Sequence, residues 1–167
     1  TQPGAPTKGA KSPPATAARG PAFNAHADPA LADEILARGW GYATVGYADI
    51  QPDRATTAGD AVMALAAAGR PAGTPVPPDD WGTIGVWSWG VSRIIDYFET
   101  DKTVDAKRIA IFGHSRLGKT VLWASAKDER VAAAFSSCSG EMGGGPAGRD
   151  WGETVDDMAE NFPWQFA

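Results

Sequence analysis

The apolar positions of this chain change period several times. Between Trp81 and Phe98, the residues Ile84, Trp87, Val91, Ile94 or Ile95, and Phe98 recur every three to four positions. That spacing predicts a helix with one buried stripe, and Asp80 stands where it can cap it. Lys107-Arg-Ile-Ala-Ile-Phe112 is a short apolar run suited to a buried strand, and Val131 to Phe135 is another. Leu117 to Lys127 between them has helical composition. Upstream, Pro29 to Arg38 predicts a short helix, with Asp28 as N-cap, Pro29 in the first turn and Gly39 after the end. Trp40 to Ala48 predicts a strand, closed by Asp49-Ile-Gln-Pro-Asp53. Thr57 to Ala68 is Ala-rich and predicts a helix stopped by Gly69 and Pro71. Four prolines make residues 70–80 a loop, and Asp101 to Asp105 reads as a turn. Strands alternating with helices point to an α/β layer with a largely parallel sheet. No internal repeat is apparent.

Residues 1–22 lack this patterning. They are rich in Pro, Ala, Gly, Thr and Lys with almost no large apolar residue, and so cannot bury enough surface to offset ordering entropy. They read as a flexible segment before a folded unit over residues 23–167. A length of 167 residues suits one domain or a piece of a larger one. The net charge of −5, with no Lys/Arg cluster, argues against nucleic-acid binding. No apolar stretch approaches the roughly 18 residues that span a bilayer. Cys138 is the single cysteine, so no intrachain disulfide can form. Seven Trp are available for core packing, and an aromatic-rich site is also compatible with a sugar ligand.

Residues 113–120, Gly-His-Ser-Arg-Leu-Gly-Lys-Thr, support two chemistries. As G-x-x-x-x-G-K-[ST] they form a phosphate cradle, with Lys119 on the terminal phosphates and Thr120 on magnesium. As a small-x-Ser turn between strand and helix they form the nucleophile elbow of a serine esterase. Context opposes the first reading. The next apolar strand ends in Ser136-Ser-Cys-Ser139 rather than in an acidic residue that would hold the metal. The second reading departs from strict G-x-S-x-G, because Gly118 lies three residues after Ser115. A plain alternative is that Ser115 only caps the helix.

The octapeptide resembles the signature of the glucuronoyl esterases, carbohydrate esterase family fifteen, especially the bacterial branch. Arg38-Gly-Trp-Gly-Tyr-Ala-Thr44, Tyr47-Ala-Asp-Ile-Gln-Pro-Asp53, Trp81-Gly-Thr-Ile-Gly-Val-Trp-Ser-Trp-Gly-Val-Ser-Arg93, Asp96-Tyr-Phe-Glu-Thr100 and Gly152-Glu-Thr-Val155 look like family blocks in family order. The resemblance implies a partial α/β-hydrolase fold, three-layered with a mostly parallel sheet and truncated at both ends. It implies hydrolysis of 4-O-methylglucuronoyl esters that link lignin to glucuronoxylan. Ser115 would be the nucleophile. Arg116 would serve the oxyanion through its backbone N–H and its guanidinium. Lys119 and Glu153 would bind uronate hydroxyls. Read alone, Lys119 is a solvated helix charge and Glu153 a carboxylate near a helix start.

Two departures stand out. The position that carries the triad acid in some members holds Cys138, and a thiol cannot balance an imidazolium. Glu141, three residues on, is a weak substitute. The chain has only two histidines. His114 neighbours Ser115 on a sharp turn and so points away from it, and His26 lies in the N-terminal segment. In the family the base comes from the C-terminal third of the domain, and the other position for the acid also lies downstream. The resemblance therefore implies an internal fragment whose base, with any such acid, lies beyond residue 167, and which is inactive alone. The resemblance further implies secretion or a periplasmic location, a monomer when complete, a lignin–carbohydrate ester as partner, and no cofactor or metal. The alternatives left open are a P-loop nucleotide binder, an acetylxylan-type esterase of the same fold, and a catalytically silent carbohydrate-binding remnant.

Overall fold

The computed structural model describes residues 29–55, 61–69, 77, 79–148 and 152–166. The predicted flexible segment 1–22, His26 and the proposed cap Asp28 lie outside the described residues. Helix α1 spans Pro29–Ala37, and Gly39 follows in the left-handed region at φ 77°. The strand predicted over Trp40 to Ala48 does not form. Residues 40–46 carry no regular structure, and Tyr47–Ile50 form a short helix, α2. A strand exists only through a ladder partner, and none reaches this segment among the described residues. Helix α3 covers Ala61–Ala67, inside the range predicted for it.

Helix α4 spans Thr83–Thr100 and buries Ile84, Val86, Trp87 and Ile95, as the spacing predicts. Its N-cap is Gly82 rather than Asp80, whose carboxylate instead accepts from the Trp81 N–H at 2.9 Å. Strand β1 is Ile109–His114, helix α5 is Arg116–Lys127 and strand β2 is Val131–Ser137. The two strands pair in parallel, with Phe112 opposite Phe135 and His114 opposite Ser137. A parallel pair needs a crossover, and α5 provides it.

Helix α5 lies on both strands, and α4 packs on α5 rather than directly on the sheet. Val121 and Ala124 of α5 join Val86, Trp87 and Ile95 of α4 in the buried core. Each large apolar side chain removed from water there contributes about 1.5–3 kcal/mol. Ser88 Oγ on α4 lies 2.8 Å from the Ile84 carbonyl and 3.1 Å from that of Thr120 on α5. The opposite face of the sheet is bare, with Phe112 72% and Phe135 59% exposed. The described residues thus form a small parallel α/β unit with helices over one sheet face, and a third layer is not present among them.

The segment 47–53 is held by its side chains rather than by a sheet. The Tyr47 ring meets Trp87 edge-on, with centroids 5.1 Å apart. Trp87 Nε1 donates to the Gln51 carbonyl at 2.8 Å, and the fully buried Gln51 side chain accepts from the Met63 N–H at 3.0 Å. Helix α6, Val155–Asn161, opens on a capping box between Thr154 and Asp157. A 3-10 turn, Pro163–Gln165, follows it.

Candidate active site

Ser115 sits between the end of β1 and the start of α5 at φ 56°, ψ −123°. Positive φ in a non-glycine residue costs on the order of 1–3 kcal/mol and persists only where neighbours enforce it. Here the Ser115 N–H donates to the Ser137 carbonyl at the end of β2, at 2.8 Å. The flanking glycines permit the close approach. A Cβ at Gly113 would run into the Leu117 carbonyl, and one at Gly118 would come within 2.8 Å of the Ser137 carbonyl. Gly118 therefore lets the helix lie on β2, which explains the three-residue spacing after Ser115. Ser115 occupies the N-cap position, yet its side chain makes no capping bond. That leaves the hydroxyl free for other work and disfavours the plain capping role.

The four residues singled out from the sequence converge. Ser115, Arg116, Lys119 and Glu153 line one concavity with Met158, Phe162 and Gln165. Lys119, one turn along α5 from Ser115, is 4% exposed and so is not a solvated helix charge. Burial holds its ammonium below the ordinary lysine value; Glu153 opposes that shift and Arg116 adds to it. A Cβ at Gly140 would lie 3.5 Å from Lys119 Nζ, so the glycine-rich loop after β2 closes over the ammonium. Glu153 precedes the N-cap of α6, where Asp157 supplies the capping carboxylate. Glu153 is thereby left at the mouth of the concavity.

The Arg116 guanidinium is paired through Nη1 with Asp53 Oδ2 and lies over the Phe162 ring, 5.8 Å from its centroid. Asp53 Oδ1 in turn accepts from Trp164 Nε1 at 2.7 Å and Gln165 Nε2 at 2.9 Å. Sequence reasoning assigned no role to Asp53, Phe162 or Gln165. The one signal available was that Asp53 closes a family-like block, and a block does not name its partner.

Other candidates fall elsewhere. His114 Nδ1 lies 3.2 Å from Ser137 Oγ, in keeping with an imidazole turned away from its neighbour Ser115. Glu141 accepts from the Val155 N–H at 3.1 Å, and so serves the start of α6. Cys138 is exposed and unpaired, at φ 50°. Thr120, which a phosphate cradle would turn toward a metal ion, is buried, and its hydroxyl donates to the Arg116 carbonyl at 3.0 Å.

Comparison with known proteins finds carbohydrate esterases. A family model described as glucuronyl esterase, fungi, matches residues 78–154. A carbohydrate esterase from an unknown prokaryotic organism is 41% identical over 134 residues, covering 80% of this chain and 30% of its own length. A 4-O-methyl-glucuronoyl methylesterase of Cerrena unicolor is 46% identical over 59 residues, 34% of this chain and 12% of that protein. The solved glucuronoyl esterase from Solibacter usitatus superposes with a TM-score of 0.74 at 42% identity, covering 81% of this chain and 34% of that one. The chain thus spans 30% of the prokaryotic relative and 34% of the solved one. With its elbow, its block order and these matches, the chain belongs to the glucuronoyl esterases, carbohydrate esterase family fifteen, on the side of the bacterial members.

Proposed function

We propose that this chain carries the nucleophile and uronate-binding side of a serine esterase that cleaves 4-O-methylglucuronoyl esters between lignin and glucuronoxylan. The observation that carries the reading is the convergence of Ser115, Arg116, Lys119 and Glu153 on one concavity, with Ser115 held at positive φ and its hydroxyl uncommitted. Ser115 Oγ attacks the ester carbonyl carbon and the alcohol leaves, giving an acyl-enzyme that water then hydrolyses. The Arg116 N–H at the start of α5 and the adjacent guanidinium meet the negative charge that develops on the carbonyl oxygen. Lys119 donates to uronate hydroxyls and Glu153 accepts from them. The Ser115 proton needs a base. Among the described residues the one histidine, His114, is turned to Ser137 Oγ, so turnover requires an imidazole from elsewhere. A lignin–carbohydrate substrate fits a protein in the periplasm or outside the cell, and no described helix is long and apolar enough to cross a membrane.

Titration of the chain with D-glucuronate, followed by NMR, tests the reading. The amides of residues 115–119 and 153 should shift, and magnesium-ATP should leave them in place. Glucuronate that moves none of them, or magnesium-ATP that moves Lys119 and Thr120, would overturn it.

A further inference from the structure

We propose that Asp53 is a positioning residue for Arg116. In this reading its buried carboxylate fixes the guanidinium beside Ser115 and ties it to the turn Pro163–Gln165. The consequence for catalysis rests on the esterase reading above; the hold on the guanidinium does not.

The Asp53 side chain is only 6% exposed. A carboxylate taken that far out of water is tolerated only when its oxygens are matched by donors. Its two oxygens divide the task. Oδ1 accepts from the neutral donors Trp164 Nε1 and Gln165 Nε2, and Oδ2 faces the cation Arg116 through Nη1. Trp164 and Gln165 come from a turn more than a hundred residues away, 111 and 112 positions along the chain. Gln165 is 1% exposed, so the far side of the clamp is itself buried. The Phe162 ring supports the guanidinium from a second direction. Arg116 is thus gripped by one end of its fork and one face. Among the described residues no acceptor meets Nε or Nη2, which stay available to negative charge beside Ser115. A guanidinium's planar fork is what makes such one-ended anchoring directional. The same carboxylate weakens the net positive field at the site, so its contribution is direction rather than charge.

The experiment uses the full 167-residue chain and reads the Arg116 side chain by NMR, assigned through Arg116→Lys. Pinning of Nη1 should give separate, slowly exchanging Nη signals. In Asp53→Asn, which keeps the shape and an acceptor for Trp164, those signals should merge and exchange with water about tenfold faster or more, as expected for loss of a charge-assisted bond. Trp164→Phe, which removes one bond to Oδ1 and leaves the ion pair, should lower Tm and leave the Arg116 signals unchanged. The proposal falls if Asp53→Asn folds and leaves the signals as they were, or if Trp164→Phe alters them equally. Should Asp53→Asn not fold, the unaltered chain decides, because a single averaged Nη signal overturns the proposal.

The functional arm is acetylation of Ser115 by p-nitrophenyl acetate, with free imidazole added to supply the base, read by mass spectrometry of its peptide. Asp53→Asn and Arg116→Ala should each slow it, by up to about a hundredfold, the scale of one oxyanion donor. The double variant should be no slower than Arg116→Ala alone, because residues acting through one another are non-additive. Additive losses would overturn the proposal. Absence of acetyl-Ser115 in the unaltered chain would instead sink the esterase reading, and the Arg116 signals would then judge Asp53 by themselves.

Discussion

Gly118 lies so close to the Ser137 carbonyl that a Cβ at position 118 would come within 2.8 Å of it. Helix α5 rests on β2 only because this position has no side chain. Gly118→Ala is therefore expected to destabilise the chain by about 1–3 kcal/mol, the usual scale of overpacking. Gly148→Ala is the control, since nothing lies within 4 Å of a Cβ there, and it should stay within about 0.5 kcal/mol of the parent. Urea melts of both variants check the pair. Equal stabilities would mean that the helix–strand contact is looser than described.

Turnover by the 167-residue chain alone is expected to be small. His114 faces Ser137, and general-base assistance typically contributes about a hundred- to ten-thousandfold. The assay is hydrolysis of benzyl glucuronate by the purified chain beside Ser115→Ala and His26→Ala. Robust activity lost in both variants would identify His26 as the base and refute this expectation.

Where an imidazole does serve Ser115, Arg116→Ala should lower kcat about a hundredfold or more and change KM little. A side chain that meets charge developing in the transition state leaves ground-state affinity nearly untouched. A rise confined to KM would assign Arg116 to substrate binding instead.

Lys119→Met and Glu153→Gln should each weaken D-glucuronate binding, by about tenfold for a lost hydrogen bond to a charged group, as read by calorimetry. Lys119 also predicts an alkaline effect. Its folded value is held below 10.5, chiefly by burial. Between that lowered value and 10.5 the unfolded chain keeps a proton that the folded chain has released, so stability rises with pH across this window. Lys119→Met should flatten that rise in urea midpoints. An unchanged slope would show that the ammonium is as well solvated in the fold as outside it.

Asp128 carries the acid-side counterpart. The hydrogen bond from Arg130 is the main reason its carboxyl lies well below its ordinary value of 3.8, and a bond from Ser92 assists. Arg130 also reaches Asp96 at 2.8 Å and Glu99 at 2.7 Å, tying the end of α5 to α4. A depressed folded value means stability that is present above pH 3.8 and lost as pH falls below it. Asp128→Asn should lower the midpoint at neutral pH and shrink the acid loss. A variant as acid-sensitive as the parent would place that loss elsewhere.

The failures of sequence reasoning share a cause. Trp40 to Ala48 has the composition of a strand, but strand formation is a property of a pair, and composition cannot supply the neighbour. Asp80 is a good capping residue, but the packing of α4 starts the helix at Thr83, with Gly82 before it. Lys119 read alone is a helix surface charge, because its burial comes from a loop that returns twenty residues later.

The sequence by itself determined the helical stripe of α4, the strand–turn–helix around Ser115, and four residues for one site, because period, turn chemistry and block order are local and ordered along the chain. Only the tertiary structure decided that Ser115 sits at positive φ without capping its helix, that Lys119 is buried beside Glu153, and that Asp53 grips Arg116. Those relationships join residues 34, 63 and more than a hundred positions apart. Their energies depend on burial and on which donor meets which acceptor, and neither exists until the chain has folded.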